Sequence, residues 1–209
     1  LKTYSLESKY LCLKINIKIY KLIYMNVIKK LYNFNDNIKG GGPLNNRFND
    51  TNIRQAISLW TSGRNTDRNQ AIRMYGDISG WDVSRVTDMS ELFKGIERKV
   101  PINIYCEERL DFNDNINDWD VSNVKNMSKM FYCTKMNHPL NKWNVSNVTN
   151  MEGMFYCCFH FNQDISNWDV SNVENMKSMF DTSLVFNQNL NNWNVSKVKT
   201  MECMFSGAE

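Results

Sequence analysis

One short phrase occurs five times in this chain and constrains its fold more than any other feature. Each copy reads Trp, Asp or Asn, Val, Ser, any residue, Val, and the copies begin at Trp81, Trp119, Trp143, Trp168 and Trp193. From Trp119 onward the tryptophans recur about every 25 residues, a period typical of solenoids rather than of a single-core globule. Such a unit cannot bury its own apolar side, so we expect neighbouring units to stack and share one core.

The spacing of apolar residues within a copy predicts its local structure. In the fourth copy Trp168 and Val170 are two apart, which predicts a very short strand. Met176, Met179 and Phe180 follow at helical spacing and predict one helical turn, which the serine of the phrase is placed to cap. The expected fold is therefore an α/β repeat solenoid resembling leucine-rich repeats, with short parallel strands and one-turn helices in each coil.

Two columns of buried side chains are expected to run along such a stack. The tryptophans form the first, a structural core ladder: Trp81, Trp119, Trp143, Trp168 and Trp193. The methionines at one equivalent place form the second: Met89, Met127, Met151, Met176 and Met201. The chain has 6 Trp, 11 Phe and 12 Met although its hydrophobic fraction is only 42%. Its apolar mass is thus concentrated in a few large side chains at fixed places.

The N-terminal segment has a different character. Residues 1–46 predict a poorly structured stretch that ends in a Gly-rich linker. Residues 1–24 precede the first methionine, Met25, and resemble translated upstream DNA rather than native coding sequence. A genuine edge strand is the alternative, because apolar and polar residues alternate over residues 11–19. Lysines interrupt the apolar run, which makes it a poor signal peptide and excludes a membrane span.

Residues 47–80 predict a helical N-terminal cap over the first coil. Apolar residues recur at helical spacing over residues 52–62, and a second helix is expected over residues 66–75, with Gly76 as its C-terminal stop. The five-copy solenoid then covers residues 81–209. Its last copy stops halfway, without the polar capping unit that normally ends a solenoid, so we expect a fragment of a longer array.

The first copy is longer than the others. It carries additional residues between Phe93 and Phe112. An insertion into one unit of a solenoid emerges as a loop on one face, sometimes the binding face. A tolerated surface loop is the simpler expectation, because lengthening a loop costs little free energy.

The charge distribution argues against nucleic acid as a partner. The formal net charge is +3, but residues 1–39 carry eight lysines against Glu7 and Asp36, so the rest of the chain is net negative. A nucleic-acid-binding face needs a basic patch or stripe, and the repeats have none in their sequence.

The six cysteines have neither the spacing of a disulfide scaffold nor a CxxC pair. Cys133 and Cys157 occupy a slot that is Gly or Thr in other copies, which predicts a small packing position. Two alternatives stay open. One is a disulfide between Cys133 and Cys157 on adjacent coils, and the other is a zinc site formed by Cys157, Cys158 and His160.

No catalytic constellation is recognisable in the sequence. The two histidines, His138 and His160, lie at unmatched places in two copies and have no partners for nucleophilic or general-base catalysis. The glycines before Pro43 lack the Lys-Ser/Thr pair of a phosphate-binding loop. We therefore expect no enzymatic activity, no cofactor and no resident metal.

A polar column is the candidate binding surface. If the copies stack, the residues that follow the tryptophans line one exposed stripe: Asp82, Asp120, Asn144, Asp169 and Asn194. A shallow polar platform of this kind could bind a protein, a glycan or a cation. The alternative is a structural ladder, in which these side chains accept hydrogen bonds from the backbone of the turns.

A family resemblance is carried by residues 161–173, whose sequence is FNQDISNWDVSNV. This segment resembles the repeat of BspA-like leucine-rich-repeat surface proteins, also catalogued as a mycoplasma lipoprotein-associated domain of unknown function. The resemblance extends over residues 47–209, because residues 75–84 are similar to the family's usual entry. It implies a repeat fold and a role in adhesion or protein binding, at a cell surface or in a host-interacting viral or protist protein.

Two function classes follow. The first is a non-catalytic protein-interaction or adhesion module with a protein or glycan ligand, because repeats build surface area rather than a site. The second is a structural or assembly component that self-associates by stacking through its open C-terminal coil. Neither class needs nucleic acid, a cofactor or a transmembrane segment.

Overall fold

A computed structural model describes residues 46–99, 104–108 and 110–208 of the chain, within the unit Pro43–Glu209. The predictions made for residues 1–24, and for the linker up to residue 45, lie outside the described residues. The elements in chain order are β1 (Arg47–Asn49), α1 (Ile53–Trp60), α2 (Asn65–Tyr75), a 3-10 helix (Ile78–Gly80), β2 (Asp82–Arg85), β3 (Ile96–Lys99) and β4 (Ile104–Glu108). From residue 110 onward the chain consists of turns joined by isolated bridges.

Helices α1 and α2 precede the repeats. Helix α1 is amphipathic, and its buried stripe comprises Ile53, Ala56, Ile57, Leu59 and Trp60. Helix α2 buries only Ala71, and the residue after its last residue Tyr75 is Gly76, whose φ of 76° is a conformation that favours glycine. Ile72, which the sequence pattern places on the same apolar face as Ala71, is exposed.

Strand β1 lies in front of the first repeat. It pairs in parallel with β2, with Arg47 opposite Asp82 and Asn49 opposite Arg85. The buried ring of Phe48 contacts the indole of Trp81, with ring centroids 4.6 Å apart. The first repeat is therefore covered on its N-terminal side by a strand as well as by helices.

We number the repeats as units 1 to 5, which begin at Trp81, Trp119, Trp143, Trp168 and Trp193. A backbone N–H of each later unit donates to the earlier unit, as Glu174 N–H does to the Thr149 carbonyl at 2.8 Å. Four further backbone hydrogen bonds recur between each pair of successive units, and their N–H donors belong to the earlier unit. Between units 3 and 4 these bonds run from Met151 to Asn175, from Gly153 to Lys177, from Phe155 to Met179 and from Cys157 to Asp181, at 2.8 to 2.9 Å. Parallel bridges connect the same edge of all five units at Asp88, Asn126, Asn150, Asn175 and Thr200.

The segment that the spacing predicts as a one-turn helix consists of consecutive tight turns. In unit 4, Met179 N–H donates to the Met176 carbonyl and Ser183 N–H donates to the Phe180 carbonyl. Ser178 and Thr182 have φ values of 51° and 58°. Left-handed residues interrupt a right-handed helix, and they free alternate N–H groups to bond the next unit. The parallel pairing accordingly lies at Asn175 rather than at Trp168 and Val170.

The shared interior contains the tryptophans of all five units, which are buried. Neighbouring indoles stack in three pairs, with centroids 6.3 to 6.5 Å apart: Trp81–Trp119, Trp143–Trp168 and Trp168–Trp193. In units 2 to 5 each indole Nε1 also donates to a carbonyl of the preceding unit or of the 3-10 helix, at 2.8 to 3.1 Å: Ile78, Ile116, Leu140 and Ile165. Each tryptophan thus stabilises the stack by apolar burial and by one hydrogen bond.

Two further columns run beside the tryptophans. The methionines Met89, Met127, Met151 and Met176 are fully buried, whereas Met201 of unit 5 is exposed. The phenylalanine rings stack at 5.5 to 5.6 Å between neighbours: Phe93, Phe131, Phe155, Phe180 and Phe205. Because these contacts pass from unit to unit, the core has no boundary between units.

The disulfide state of the cysteines contradicts one of the two open alternatives. Cys133 is disulfide-bonded, whereas Cys157 and Cys158 are buried and carry no disulfide. A Cys133–Cys157 bridge is therefore wrong, because Cys157 carries no disulfide. The Cys158 thiol instead donates to the Phe131 carbonyl at 2.8 Å. Among the residues that the structure describes, no group of three His, Cys, Asp or Glu could hold a metal ion.

Candidate functional site

The predicted polar column consists of five Asx turns. In each unit the Oδ1 atom of the column residue accepts from the backbone N–H of the serine two positions later, at 3.0 to 3.1 Å: Asp82, Asp120, Asn144, Asp169 and Asn194. The serine hydroxyl donates to the same atom at 2.6 Å in unit 1 and 2.7 Å in unit 3. The serine therefore donates its hydrogen bonds to the column residue two positions before it.

These turns affect the acidity of their carboxyl groups. Hydrogen bonds from the Ser84 hydroxyl and N–H lower the pKa of Asp82, and those from Ser171 lower the pKa of Asp169 in the same way. Asp82 is half-buried and also pairs with Arg47 at 3.3 Å, while the other four column residues are exposed. The column therefore presents its outer atoms to solvent, but one oxygen of each residue is already used to hold a turn.

A second polar column lies beside the first. Asn123, Asn147 and Asn172 each donate Nδ2 to a serine carbonyl of the preceding unit, at 2.7 to 2.8 Å. In unit 5 the equivalent Lys197 donates Nζ to Asn172 Oδ1 at 2.7 Å. The repeated phrase allows any residue at this place. The recurrence of Asn in three consecutive units is the signal that it also joins the units.

A third set of asparagines joins the units near the C-terminal end of each repeat. Asn137 N–H donates to Asn113 Oδ1, Asn162 N–H to Asn137 Oδ1, and Asn187 N–H to Asn162 Oδ1, at 2.8 to 3.1 Å. Gln163 and Gln188 donate to the same acceptors of the preceding unit. Most of the recurring polar residues are therefore engaged in structure rather than presented as free ligands.

Apolar side chains occupy one outward corner of the units. Leu184 and Val185 of unit 4 are 42% and 46% exposed. Phe159 holds the place of Leu184 in unit 3, half-buried beside the stacked rings of Tyr132 and Tyr156, which lie 4.4 Å apart. This corner was not predicted from the sequence. Its signal in the sequence is the pair of residues just before the second aromatic of units 3 and 4, which changes from Phe159-His160 to Leu184-Val185.

The insertion in unit 1 begins at the same corner. It forms an antiparallel hairpin of β3 and β4, with Ile96 opposite Glu108 and Lys99 opposite Ile104. The hairpin begins at nearly the same distance from its tryptophan as Leu184 does in unit 4, so it emerges on the side of the stack where the exposed apolar residues lie.

A cleft of about 590 Å³ lies between the α1–α2 turn and unit 1. Trp60 and Arg68 form one wall, with the guanidinium 4.3 Å above the indole ring, and Trp60 Nε1 donates to Asp114 at 2.8 Å. The cations of the cleft are each paired with an acid: Arg64 with Asp67, Arg68 with Asp114 and Lys94 with Glu91, at 2.6 to 2.8 Å. Its charges are balanced internally, so they indicate no charged ligand.

The comparisons with known proteins bear on the family. A family model described as "Mycoplasma protein of unknown function, DUF285" matches residues 31–158 and again residues 102–209. Neither a curated protein nor a solved structure matches the sequence. Of the helices that the structure describes, none has the length and apolar character needed to cross a membrane.

Proposed function

The chain belongs to the mycoplasma family of unknown function DUF285, and we propose that its stacked units form a non-catalytic protein-interaction module of the adhesion type. The membership confirms the predicted resemblance at the level of the family. We further propose that the units are BspA-like leucine-rich repeats wound as a solenoid. The backbone bonds that recur from unit to unit support this second proposal.

The proposed module recognises its partner through the lateral apolar surface, which we define as Phe159, Leu184 and Val185. The observation that carries this proposal is the adjacent pair Leu184 and Val185, each more than two-fifths exposed on a unit whose other large apolar residues are buried or half-buried. Exposed apolar patches rimmed by polar residues are typical of protein–protein contact sites. A protein is therefore the partner that this surface fits best.

The polar column contributes less in this proposal. One oxygen of Asp120, Asn144 and Asp169 already accepts from the backbone of its own turn. A partner can reach only the remaining atoms, which are exposed to water and gain little free energy on binding. The constant polar residues thus support a scaffold, and the residues that differ between units supply specificity.

The test places a photo-crosslinking amino acid, p-benzoyl-phenylalanine, at Val185 and, in a matched control protein, at Asp120. Each protein is irradiated in an extract of cells in which the chain is native. We expect a saturable crosslinked species from Val185 that unlabelled wild-type protein competes and that a Leu184→Asn/Val185→Asn protein does not.

Two outcomes would contradict this assignment. Competed crosslinks from Asp120 alone would place the interaction on the polar column, and the absence of competed crosslinks from both positions would remove the interaction role. Loss of the Val185 product after periodate treatment of the extract would identify a glycan rather than a protein.

A further inference from the structure

The cleft between the α1–α2 turn and unit 1, which we call the cap cleft, has the size of a small-molecule site. Its volume of about 590 Å³ falls within the range of roughly 300–1,000 Å³ that is usual for ligand pockets. One wall consists of residues 61–65 and Arg68 of α2, and the other consists of Lys94, Gly95, Leu110 and Asp111 of unit 1. A ligand in this cleft would therefore contact the cap and the first unit together.

The charged residues of the cap cleft favour a neutral ligand. Its cations Arg64, Arg68 and Lys94 each pair with an acid, and its acid Asp111 pairs with Lys135 at 3.1 Å. An ionic ligand would have to displace one of these partners, so its binding would gain little free energy. The ligand that fits the cleft carries no net charge.

The walls of the cap cleft are also too polar for an apolar ligand. Trp60 is only 2% exposed, with the Arg68 guanidinium 4.3 Å above its ring, and Leu110 is half-buried. The remaining lining side chains end in hydroxyl, amide or charged groups. Pockets for apolar molecules are lined mainly by hydrophobic and aromatic side chains, so the ligand of this cleft must itself be polar.

Several polar groups of the cleft keep hydrogen-bonding capacity. The Asn65 carboxamide makes no hydrogen bond within the described part of the chain, so it can both donate and accept. The Ser62 Oγ atom accepts from the Arg64 N–H at 3.2 Å, which leaves its hydroxyl proton to donate. The Asp111 side chain is 83% exposed, so its carboxylate can accept further bonds. Donors and acceptors in one cleft suit a molecule rich in hydroxyl groups.

Arg68 is held in position before any ligand binds. Its Nη2 donates to Asp114 Oδ1 at 2.6 Å, and Asp114 Oδ2 accepts from Trp60 Nε1 at 2.8 Å. Stacking on the indole fixes the plane of the guanidinium. Its Nε and Nη1 atoms have no acceptor among the described residues, and 42% of the side chain is exposed. A donor that is fixed in advance loses little conformational entropy when it binds.

A peptide fits the cap cleft less well than a saccharide, although both can be neutral and polar. The backbone N–H groups of Gly95 and Leu110 already donate to the Tyr132 and Cys133 carbonyls of unit 2, at 2.7 and 3.1 Å. The opposite wall is a turn followed by a helix rather than a strand. A peptide would therefore lack the main-chain hydrogen bonds that give affinity when a strand is added to a sheet edge.

We propose that the cap cleft is a saccharide-binding site, which holds a short neutral segment of a glycan and leaves the rest of the glycan in solvent. Arg68 and Ser62 donate to oxygens of the sugar, Asp111 accepts from its hydroxyl groups, and Asn65 does both. The cleft is separate from the lateral apolar surface, and this proposal does not depend on the proposed function.

The test applies the full chain, labelled with a fluorophore at its N-terminus, to an array of neutral, sialylated and sulfated oligosaccharides. We expect binding to neutral oligosaccharides, and the strongest of these is then titrated against the unlabelled chain by calorimetry. Asn65→Ala should weaken that binding by about three- to tenfold, the effect of one or two lost hydrogen bonds. Its urea midpoint should not change, because the Asn65 side chain has no bond to lose. Arg68→Lys keeps a cation beside Asp114 but loses the planar donor, and should weaken binding about tenfold.

Asn69→Ala is the matched control, because Asn69 is exposed on the same helix but does not line the cleft. It should bind as the wild type does, and a loss as large as that of Asn65→Ala would overturn the proposal. So would the absence of binding to every neutral oligosaccharide, binding confined to sialylated or sulfated ones, or wild-type affinity in both Asn65→Ala and Arg68→Lys. Failure of the crosslinks at Val185 would leave this proposal standing, and an array without binding would leave the lateral apolar surface standing.

Discussion

Arg54 Nη1 donates to the Ser90 carbonyl of unit 1 at 2.8 Å. In every later unit the equivalent carbonyl accepts instead from a backbone N–H of the preceding unit. The equivalent Ser128 carbonyl accepts from Glu91 N–H of unit 1. Asp50 supplies the matching acceptor, because its carboxylate accepts from the Thr87 and Asp88 N–H groups. In later units the N–H group equivalent to that of Thr87 donates to a backbone carbonyl of the preceding unit. The N-terminal cap therefore reproduces the edge of a missing unit with two charged side chains.

Removing the Asp50 carboxylate should destabilise the stack. Asp50→Ala deletes the acceptor for two N–H groups and for the Thr87 hydroxyl, which we expect to cost about 1.5–3 kcal/mol in the free energy of unfolding. The measurement is urea denaturation followed by tryptophan fluorescence. Asp118→Ala is the control, because Asp118 forms only an exposed ion pair with Lys142 and should cost below about 1 kcal/mol. Equal losses for the two variants would remove the special role of Asp50.

Stability should also fall in acid at these carboxylates. Hydrogen bonds from Ser79 lower the pKa of Asp77 below its ordinary 3.8, and bonds from Ser84 do the same for Asp82. Partial burial alone would raise the pKa of Asp50, but bonds from Thr87 and Asp88 and the charge of Arg54 lower it overall.

A lowered folded-state pKa means that the unfolded chain binds protons more readily, so the stabilisation is complete above pH 3.8 and is lost as pH falls through the folded value. We expect the urea midpoint of the wild-type chain to stay level from pH 7 to about pH 5 and then to decline. The Asp82→Asn variant should decline less steeply below pH 3.8. A midpoint that rises on acidification would contradict the sign.

The repeated sequence pattern predicted which side chains form the core, but not the path of the backbone. Trp168 and Met176 were expected to be buried from spacing alone, and they are buried. The spacing of Met176, Met179 and Phe180 fits one helical turn and also fits two successive tight turns, since side-chain spacing does not report the sign of φ at Ser178.

The caps and the candidate surface depend on more than local pattern. The Arg54 contact requires the orientation of α1 against unit 1, which no periodicity encodes. The Asp-x-Ser pattern did suggest a turn ladder as one alternative for the polar column. Leu184 and Val185 are exposed but were not predicted. They differ from one unit to the next, and a repeat pattern is defined by the residues that stay constant.

The polar column should tolerate Asn and reject Ala. Asp169→Ala removes the Oδ1 acceptor of Ser171 N–H, and we expect a loss of about 0.5–1.5 kcal/mol in the free energy of unfolding. Asp169→Asn keeps that acceptor, as Asn144 does in unit 3, and should change stability by less than about 0.5 kcal/mol. Urea denaturation of both variants decides the matter. An Asn variant as unstable as the Ala variant would show that charge, rather than the turn, is what the column needs.

The tryptophan column should be most sensitive in its middle. Trp143→Ala removes a buried indole and its 3.0 Å bond to the Ile116 carbonyl, which we expect to cost about 3–5 kcal/mol. Trp193→Ala should cost about 1–2 kcal/mol less, because unit 5 can relax toward solvent and leaves a smaller cavity. Thermal or urea unfolding of both variants tests the order. A larger loss at Trp193 than at Trp143 would contradict the expectation that the middle of the column is the most sensitive part.

At one left-handed position in the turns, removing a glycine should lower stability, and introducing one in the next unit should raise it. Gly153 and Ser178 hold the same place in units 3 and 4, with φ values of 56° and 51°. Gly153→Ala introduces a Cβ into a left-handed residue and should destabilise by about 1 kcal/mol, without a severe clash because the nearest atom would be Lys129 Cγ at 3.4 Å. Ser178→Gly should instead raise stability by up to about 1 kcal/mol, because it relieves the same strain and loses only a long 3.4 Å bond to Asp181. The check is the shift of the urea midpoint for each variant against wild type, and shifts of the same sign would refute the strain assigned to this place.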